Sequence, residues 1–117
     1  MAKILLVEDD PNAMEELREL IEDLGYETLV ATNGKEAYEL HGDSELRLII
    51  TDLVMPEMGG LELIKILRGD SVKVPIIVLS GFAGDLERAR KIGANLGFSK
   101  PYQMHEIQSA VRIFMDK

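Results

Sequence analysis

Five short apolar runs alternate with five amphipathic stretches along this chain of 117 residues, and this alternation restricts the fold more than any other feature. The apolar runs have the length of β-strands, of which 27–31 is the weaker one, and the others fit strands buried in a sheet. Of the stretches between them, 11–24, 60–67 and 103–115 repeat apolar residues at helical spacing, 35–40 is short and 85–92 is charged. The predicted strands cover residues 3–7, 27–31, 46–51, 75–79 and 96–99. The predicted helices cover residues 11–24, 35–40, 60–67, 85–92 and 103–115.

Regular alternation of strand and helix favours a parallel sheet covered by helices on both faces, with right-handed crossovers. We predict an α/β fold, a flavodoxin-like (βα)5 three-layer sandwich whose five parallel strands have the order 2-1-3-4-5. In such sheets ligands bind beyond the carboxyl ends of the strands. The residues that follow the strands are therefore the candidates for function.

The carboxyl edge of the predicted sheet collects five polar side chains. Glu8 and Asp9 follow the first strand, and Asp52 follows the third. Ser80 and Lys100 follow the fourth and fifth strands. Carboxylates placed close together repel one another, so the group needs a cation, or one carboxyl must stay protonated. A site made only of oxygens suits a hard divalent ion, with Mg²⁺ as the main candidate and Mn²⁺ as the alternative.

The same residues suit a phosphoryl group. A divalent metal and the Lys100 ammonium neutralise phosphate oxygens, while a carboxylate oxygen attacks phosphorus. The Ser80 hydroxyl can bind a phosphate oxygen once one arrives. The sequence therefore predicts chemistry on a phosphoryl group at this edge.

Composition limits the other classes of function. The formal net charge of −8 argues against a nucleic acid as a direct partner. No apolar run approaches the length of a membrane span, and we expect no signal peptide because acidic residues appear as early as Glu8. The chain has no cysteine, which is compatible with a reducing, cytoplasmic location. The length suggests a single domain, 1–117.

Four motifs occur in a fixed order along the whole chain: Val7-Glu8-Asp9-Asp10, Asp52-x-x-Met55-Pro56-x-Met58-x-Gly60, Leu79-Ser80-Gly81 and Lys100-Pro101. Together they resemble the CheY-like receiver domains of two-component response regulators. By that resemblance, Asp52 accepts a phosphoryl group from a phosphohistidine on a sensor histidine kinase or a phosphotransfer protein.

The resemblance also implies the ligands of a magnesium ion. Asp9 and Asp52 would coordinate Mg²⁺, and the backbone carbonyl of Val54 would be the third protein ligand. Glu8 would act largely through water.

By the same resemblance, Ser80 is the switch hydroxyl and Lys100 is the phosphate-binding lysine, followed by a cis peptide bond before Pro101. The domain would not be an enzyme in the usual sense, because it would catalyse only its own phosphorylation and slow self-dephosphorylation. Phosphorylation would switch a surface that binds a downstream protein target or a detached output domain. The sequence is compatible with a stand-alone regulator and with a receiver excised from a longer chain.

Two positions depart from the family pattern. Gly59 stands where the family usually has Asp or Asn, and Gly97 stands where it usually has an aromatic switch residue, with Phe98 next in sequence. In the family, two further positions border the path of the hydrolytic water. Here they are Val54 and Phe82, and neither side chain can orient a water, so we expect slow dephosphorylation.

Three polar residues have simpler interpretations. Asp10 is predicted to cap the first helix, and His41 and His105 are predicted to lie on the surface.

Two other classes of function share the predicted architecture. A flavin-binding module would have to hold a phosphate where residues 8–10 place carboxylates that repel it. A hydrolase with Asp52 as nucleophile would need a second general acid nearby, which Val54 is not.

Overall fold

The computed structural model describes residues 2–116 and shows strands and helices in strict alternation. The strands are β1 (Lys3–Val7), β2 (Glu27–Ala31), β3 (Leu46–Asp52), β4 (Ile76–Ser80) and β5 (Leu96–Ser99). The helices are α1 (Pro11–Glu22), α2 (Gly34–Leu40), α3 (Gly60–Gly69), α4 (Ala83–Lys91) and α5 (Met104–Met115). The two end residues of the domain predicted above, Met1 and Lys117, lie outside the described residues.

All strand pairs are parallel, and the sheet has the order β2-β1-β3-β4-β5. The predicted flavodoxin-like (βα)5 topology is therefore confirmed. Side chains alternate between the two faces of each strand, which produces a core on each side of the sheet. One core packs against α1 and α5, and the other packs against α2, α3 and α4. Within residues 2–116 the longest helices are too short and too polar to cross a bilayer.

Three element bounds differ from the prediction in ways that affect the site. Asp52 is the last residue of β3 rather than the first after it, because it continues the pairing with Leu79 of β4. β4 begins after Pro75, which has no backbone N–H to donate to a neighbouring strand, and it extends through Ser80. α4 begins at Ala83, two residues earlier than predicted, and no side chain caps its first turn.

Arg68, near the end of α3, fastens the amino-terminal edge of the sheet. Its guanidinium donates hydrogen bonds to the carbonyl oxygens of Val72, Val74 and Gly93 at 2.8, 2.9 and 3.0 Å and to Asn95 Oδ1 at 3.1 Å. Hydrogen bonds from a charged donor are stronger than neutral ones. The Arg68 side chain therefore links three parts of the fold: the end of α4, the start of β4 and the start of β5.

Candidate functional site

Strand register brings the predicted residues to one level at the carboxyl edge. The last residue of β1 pairs with Thr51, so Glu8 stands level with Asp52 on the neighbouring strand. Asp52 in turn pairs with Leu79, the residue before Ser80. Because parallel strands keep this register, the ends of β1, β3 and β4 present their polar residues side by side.

Glu8, Asp9 and Asp52 form an acidic cluster. Each offers a carboxylate oxygen, and these oxygens lie within 4.8 Å of one another. The Glu8 side chain is 4% exposed and that of Asp52 is 12% exposed, whereas Asp9 faces solvent. The structure thus brings together the three carboxylates that the sequence places at this edge.

Lys100 supplies a cation to the acidic cluster. Its Nζ lies 3.3 Å from Glu8 Oε2 and 3.4 Å from Asp52 Oδ2. The lysine follows β5, and its backbone amide donates a hydrogen bond to the Ser80 carbonyl oxygen at 2.8 Å, which continues the pairing of β4 with β5. The peptide bond between Lys100 and Pro101 is cis, as the resemblance implied.

Two backbone amides hold the buried carboxylates from the other side. The amide of Asp10 donates to Glu8 Oε1 at 3.2 Å, and the amide of Leu53 donates to Asp52 Oδ1 at 2.9 Å. Sequence reasoning did not find these donors, because a backbone amide leaves no mark in the residue types. Asp10 also caps α1 as predicted, since its Oδ2 accepts a hydrogen bond from the amide of Ala13 at 3.1 Å.

The electrostatics of the cluster favour an additional cation. Burial raises the pKa of the Glu8 carboxyl, and the negative charge of Asp52 raises it further, while the Asp10 amide and Lys100 only partly offset both. Burial lowers the pKa of Lys100, but the charges of Asp52 and Glu8 more than reverse this, so its pKa lies above the ordinary value. One ammonium is therefore shared by two of the three carboxylates, and negative charge is left for a divalent ion to neutralise.

The acidic cluster fits a magnesium ion. Mg²⁺ binds oxygens at about 2.1 Å, so two oxygens on one ion lie at most about 4.2 Å apart. Separations within 4.8 Å need only small side-chain rotations to reach that geometry. Glu8 and Asp52 are each held by one backbone amide and by Lys100, whereas the Asp9 carboxylate faces solvent.

Ser80 is 1% exposed at the end of β4, and its Oγ accepts a hydrogen bond from the amide of Phe82 at 3.1 Å. Val54 lies two residues after Asp52 in the sequence, and Phe82 lies two residues after Ser80. Both side chains are large and apolar, and they are 63% and 66% exposed. Neither side chain has a hydrogen-bonding group for a water molecule near the site.

A side chain at Gly97 would be crowded by two neighbouring side chains. A methyl group at this position would lie 3.0 Å from Leu86 Cδ2 and 3.1 Å from Val78 Cγ2. Leu86 of α4 therefore packs directly on the backbone of β5, where the resemblance expects an aromatic ring. The contact between α4 and β5 is made by an aliphatic side chain of the helix instead.

The two histidines lie outside the acidic cluster. His105 is exposed as predicted, whereas His41 is only half-exposed, because its ring packs on Tyr38 with the ring centroids 4.6 Å apart. The Nδ1 atom of His41 also contacts the Tyr38 carbonyl oxygen.

Comparisons with known proteins agree with this arrangement. A family model described as the response regulator receiver domain matches residues 4–112. The transcriptional regulatory protein CrdR of Helicobacter pylori is 35% identical over 97% of this chain, which spans 55% of that protein. The polar-differentiation response regulator DivK of Brucella anthropi is 35% identical over 96% of this chain and 94% of its own length.

Solved structures give the same result. The receiver domain of a signal transduction histidine kinase from Syntrophus aciditrophicus has a TM-score of 0.89 at 33% identity, covering 99% of this chain and 91% of that chain. The receiver domain of the sensor histidine kinase PA1611 from Pseudomonas aeruginosa PAO1, with a magnesium ion coordinated in its active site cleft, has a TM-score of 0.89 at 26% identity, covering 99% and 98% of the two chains. By sequence and by structure, this chain belongs to the family of response regulator receiver domains of two-component signalling.

Proposed function

We propose that Asp52 accepts a phosphoryl group from a phosphohistidine on a sensor histidine kinase or a phosphotransfer protein, in a reaction that depends on Mg²⁺. One observation carries this proposal: the Lys100 ammonium lies 3.3 and 3.4 Å from Glu8 and Asp52, inside the acidic cluster. A cation beside a carboxylate at the end of a strand can neutralise phosphate oxygens while that carboxylate attacks phosphorus. Mn²⁺ would suit the same oxygen ligands.

In the proposed transfer, an Asp52 oxygen attacks phosphorus and forms the O–P bond of an acyl phosphate. The N–P bond to the donor histidine breaks, and the imidazole nitrogen keeps the electron pair. Mg²⁺, when bound by Asp9, Asp52 and the Val54 carbonyl, supplies positive charge to the phosphoryl oxygens. Lys100 places a second positive charge beside the same oxygens, and Glu8 holds that ammonium in position.

Intact mass spectrometry after incubation with acetyl phosphate tests the proposal. We expect one phosphoryl adduct per chain in the presence of Mg²⁺ and none after chelation with EDTA, because the metal and the lysine act together on the phosphoryl oxygens. An unchanged mass in Mg²⁺ would contradict the assignment of this site.

Receiver domains are signalling domains rather than conventional enzymes. For this one, we propose that catalysis is limited to its own phosphorylation and to slow self-dephosphorylation, and that the phosphorylated surface binds a downstream protein target or a detached output domain. No direct contact with nucleic acid or membrane is proposed. We place the domain in the cytoplasm together with its phosphodonor.

The acyl phosphate should be long-lived. Neither Val54 nor Phe82, which are both exposed, can orient an attacking water through its side chain. A Val54→Asn, Phe82→Glu double variant should lose its phosphoryl group on the order of tenfold faster, because a positioned polar group assists proton transfer from water. The loss of adduct over time, after the donor is removed, measures this.

Val30→Asn is the control, because it replaces another exposed valine, which is 48% exposed on β2. Its phosphoryl group should be lost at the wild-type rate. Equal rates of loss in all three proteins would contradict the prediction.

Phosphorylation should also change the start of α4. We propose that the Ser80 hydroxyl moves toward the phosphoryl group and gives up its hydrogen bond from the Phe82 amide. Phe82 directly precedes α4, whose first turn has no side-chain cap. NMR spectra and relaxation dispersion, recorded with and without beryllofluoride, should then show changes across residues 80–97, because a local charge change biases a two-state segment. The edge strand β2 serves as the internal control. Unchanged shifts across residues 80–97 would refute this coupling.

A further inference from the structure

The loop that follows the phosphoacceptor strand is tied to the start of α2. The amide of Gly34, the first residue of α2, donates a hydrogen bond to the Met58 carbonyl oxygen at 2.7 Å. The Met58 side chain lies against the same glycine, since a methyl group at Gly34 would lie 2.7 Å from Met58 Cγ and 2.8 Å from Met58 O. Only a residue without a side chain permits so close an approach. We call these two contacts the Gly34–Met58 latch.

Two backbone hydrogen bonds join residues within the loop that contains Met58. The Met58 amide donates to the Pro56 carbonyl oxygen at 2.8 Å, and the Gly60 amide donates to the Leu53 carbonyl oxygen at 3.0 Å. One of these bonds joins the two ends of the segment and the other lies within it, so both restrict its internal motion. Residues 53–60 are therefore expected to shift as a unit when their attachment changes.

The start of α2 is a fixed attachment point for this loop. The Asn33 side chain accepts a hydrogen bond from the Glu36 amide at 2.9 Å and caps the helix. The Glu36 carboxylate in turn accepts hydrogen bonds from the amide and the hydroxyl of Thr32, at 2.6 and 2.7 Å. These bonds fix the backbone on both sides of Gly34.

We propose that the Gly34–Met58 latch positions the loop so that the Val54 carbonyl can bind the magnesium ion. Gly34 is then a positioning residue for the phosphoacceptor site, and this inference rests on the proposed function. The three carboxylates of the acidic cluster belong to residues outside this loop, and the hydrogen bond from the Leu53 amide to Asp52 Oδ1 joins one of them to it. Displacing the loop would therefore act mainly on the Val54 carbonyl, because the backbone of the three acidic residues stays with β1 and β3.

Gly34→Ala tests the latch, because the added methyl group would push against the Met58 carbonyl oxygen. Titration of the metal-free protein with Mg²⁺, followed by NMR, should show a midpoint raised about tenfold, the effect expected when a supporting contact of a metal ligand is lost. Gly42→Ala is the matched control, because a methyl group at that glycine has no neighbouring atom within 4 Å. Its midpoint should equal that of the wild type.

Two further measurements separate positioning from a general loss of stability. Ala37→Gly weakens α2 from inside the helix without adding a group near the loop, so it should leave the Mg²⁺ midpoint unchanged. Hydrogen exchange of the residue 34 amide, measured without metal, should be slow in the wild type and faster in Gly34→Ala, because the hydrogen bond to Met58 is lost. This second readout does not depend on phosphorylation.

The outcomes distinguish the latch from the proposed function. A wild-type midpoint in Gly34→Ala would overturn the latch, and so would an equal rise in Gly34→Ala and Ala37→Gly. A wild-type protein that does not bind Mg²⁺ at all would overturn the proposed function and the inference with it, and the wild-type titration alone identifies that case.

Discussion

Asp52→Asn should carry no phosphoryl group after incubation with acetyl phosphate and Mg²⁺. The amide is not a nucleophile at phosphorus, and in the proposed transfer the other two carboxylates have different tasks: Glu8 holds the Lys100 ammonium, and Asp9 binds the magnesium ion. The fold should persist, because an amide oxygen can still accept the hydrogen bond from Leu53. Intact mass spectrometry measures the loss.

The matched control for this variant is Asp10→Asn. Asp10 is the neighbouring acid that caps α1 and does not belong to the acidic cluster, so its variant should still gain the adduct. An adduct that survives in Asp52→Asn would place the acceptor elsewhere. Loss of the adduct in both variants would mean that phosphorylation depends on the total negative charge at this edge of the sheet rather than on Asp52 alone.

Lys100→Met should slow phosphorylation by about a hundredfold, the scale expected when one preorganised charge beside a developing charge is removed. The variant leaves Glu8, which is 4% exposed, and Asp52 without their shared cation. Methionine keeps much of the side-chain length and packing, so the loss reports the charge. The rate of adduct formation from acetyl phosphate at fixed Mg²⁺ measures it.

The same variant should become less stable than the wild type as pH rises. Burial and Asp52 already raise the pKa of Glu8 above its usual value of 4.5, and loss of the ammonium raises it further. Between 4.5 and the folded pKa, the folded state binds more protons than the unfolded state, so the free energy of unfolding falls with increasing pH. Below 4.5 both states are protonated, and the penalty disappears. Urea unfolding of the metal-free proteins at several pH values measures the difference.

Lys91→Met is the control for both measurements. Lys91 pairs with Glu87 at 3.6 Å on the exposed face of α4, where its side chain is 74% exposed. Exposed ion pairs contribute little, so this variant should phosphorylate at the wild-type rate and show no new pH dependence. If Lys100→Met behaved like Lys91→Met, Lys100 would have no part in the transfer.

The fold was predictable because the first, third and fourth strand runs are mainly apolar and the first, third and fifth helices repeat apolar residues at helical spacing. Alternation favoured a parallel sheet covered on both faces, and the flavodoxin-like order was chosen among such sheets, whereas the register is known only from the structure. The bounds were less accurate at α4, since Ala83 and the residue before it offer no capping side chain that a sequence could reveal. Asp52 was placed directly after the third strand, because its membership of that strand is visible only once its pairing with Leu79 is known.

The candidate site was predictable in part for the same reason. Polar residues that follow buried strands can be identified from sequence, and their meeting follows from the topology. The contacts that hold them were not predictable: Asn33-Gly34 indicates a turn and a helix start, and nothing in those residues shows that Met58 approaches Gly34. Gly97 was recognisable as a departure, but the packing of Leu86 on it depends on tertiary structure.

The hydrogen bonds of Arg68 have a consequence for the direction of motion in α4. The carbonyl of Gly93, just beyond the end of that helix, accepts a hydrogen bond from the guanidinium, whereas the first turn of the helix has no side-chain cap. The helix is thus hinged at its far end, and its displacement should grow with distance from that anchor. Relaxation-dispersion amplitudes should accordingly fall from residue 82 toward residue 93, so that the surface nearest the phosphoryl group changes most.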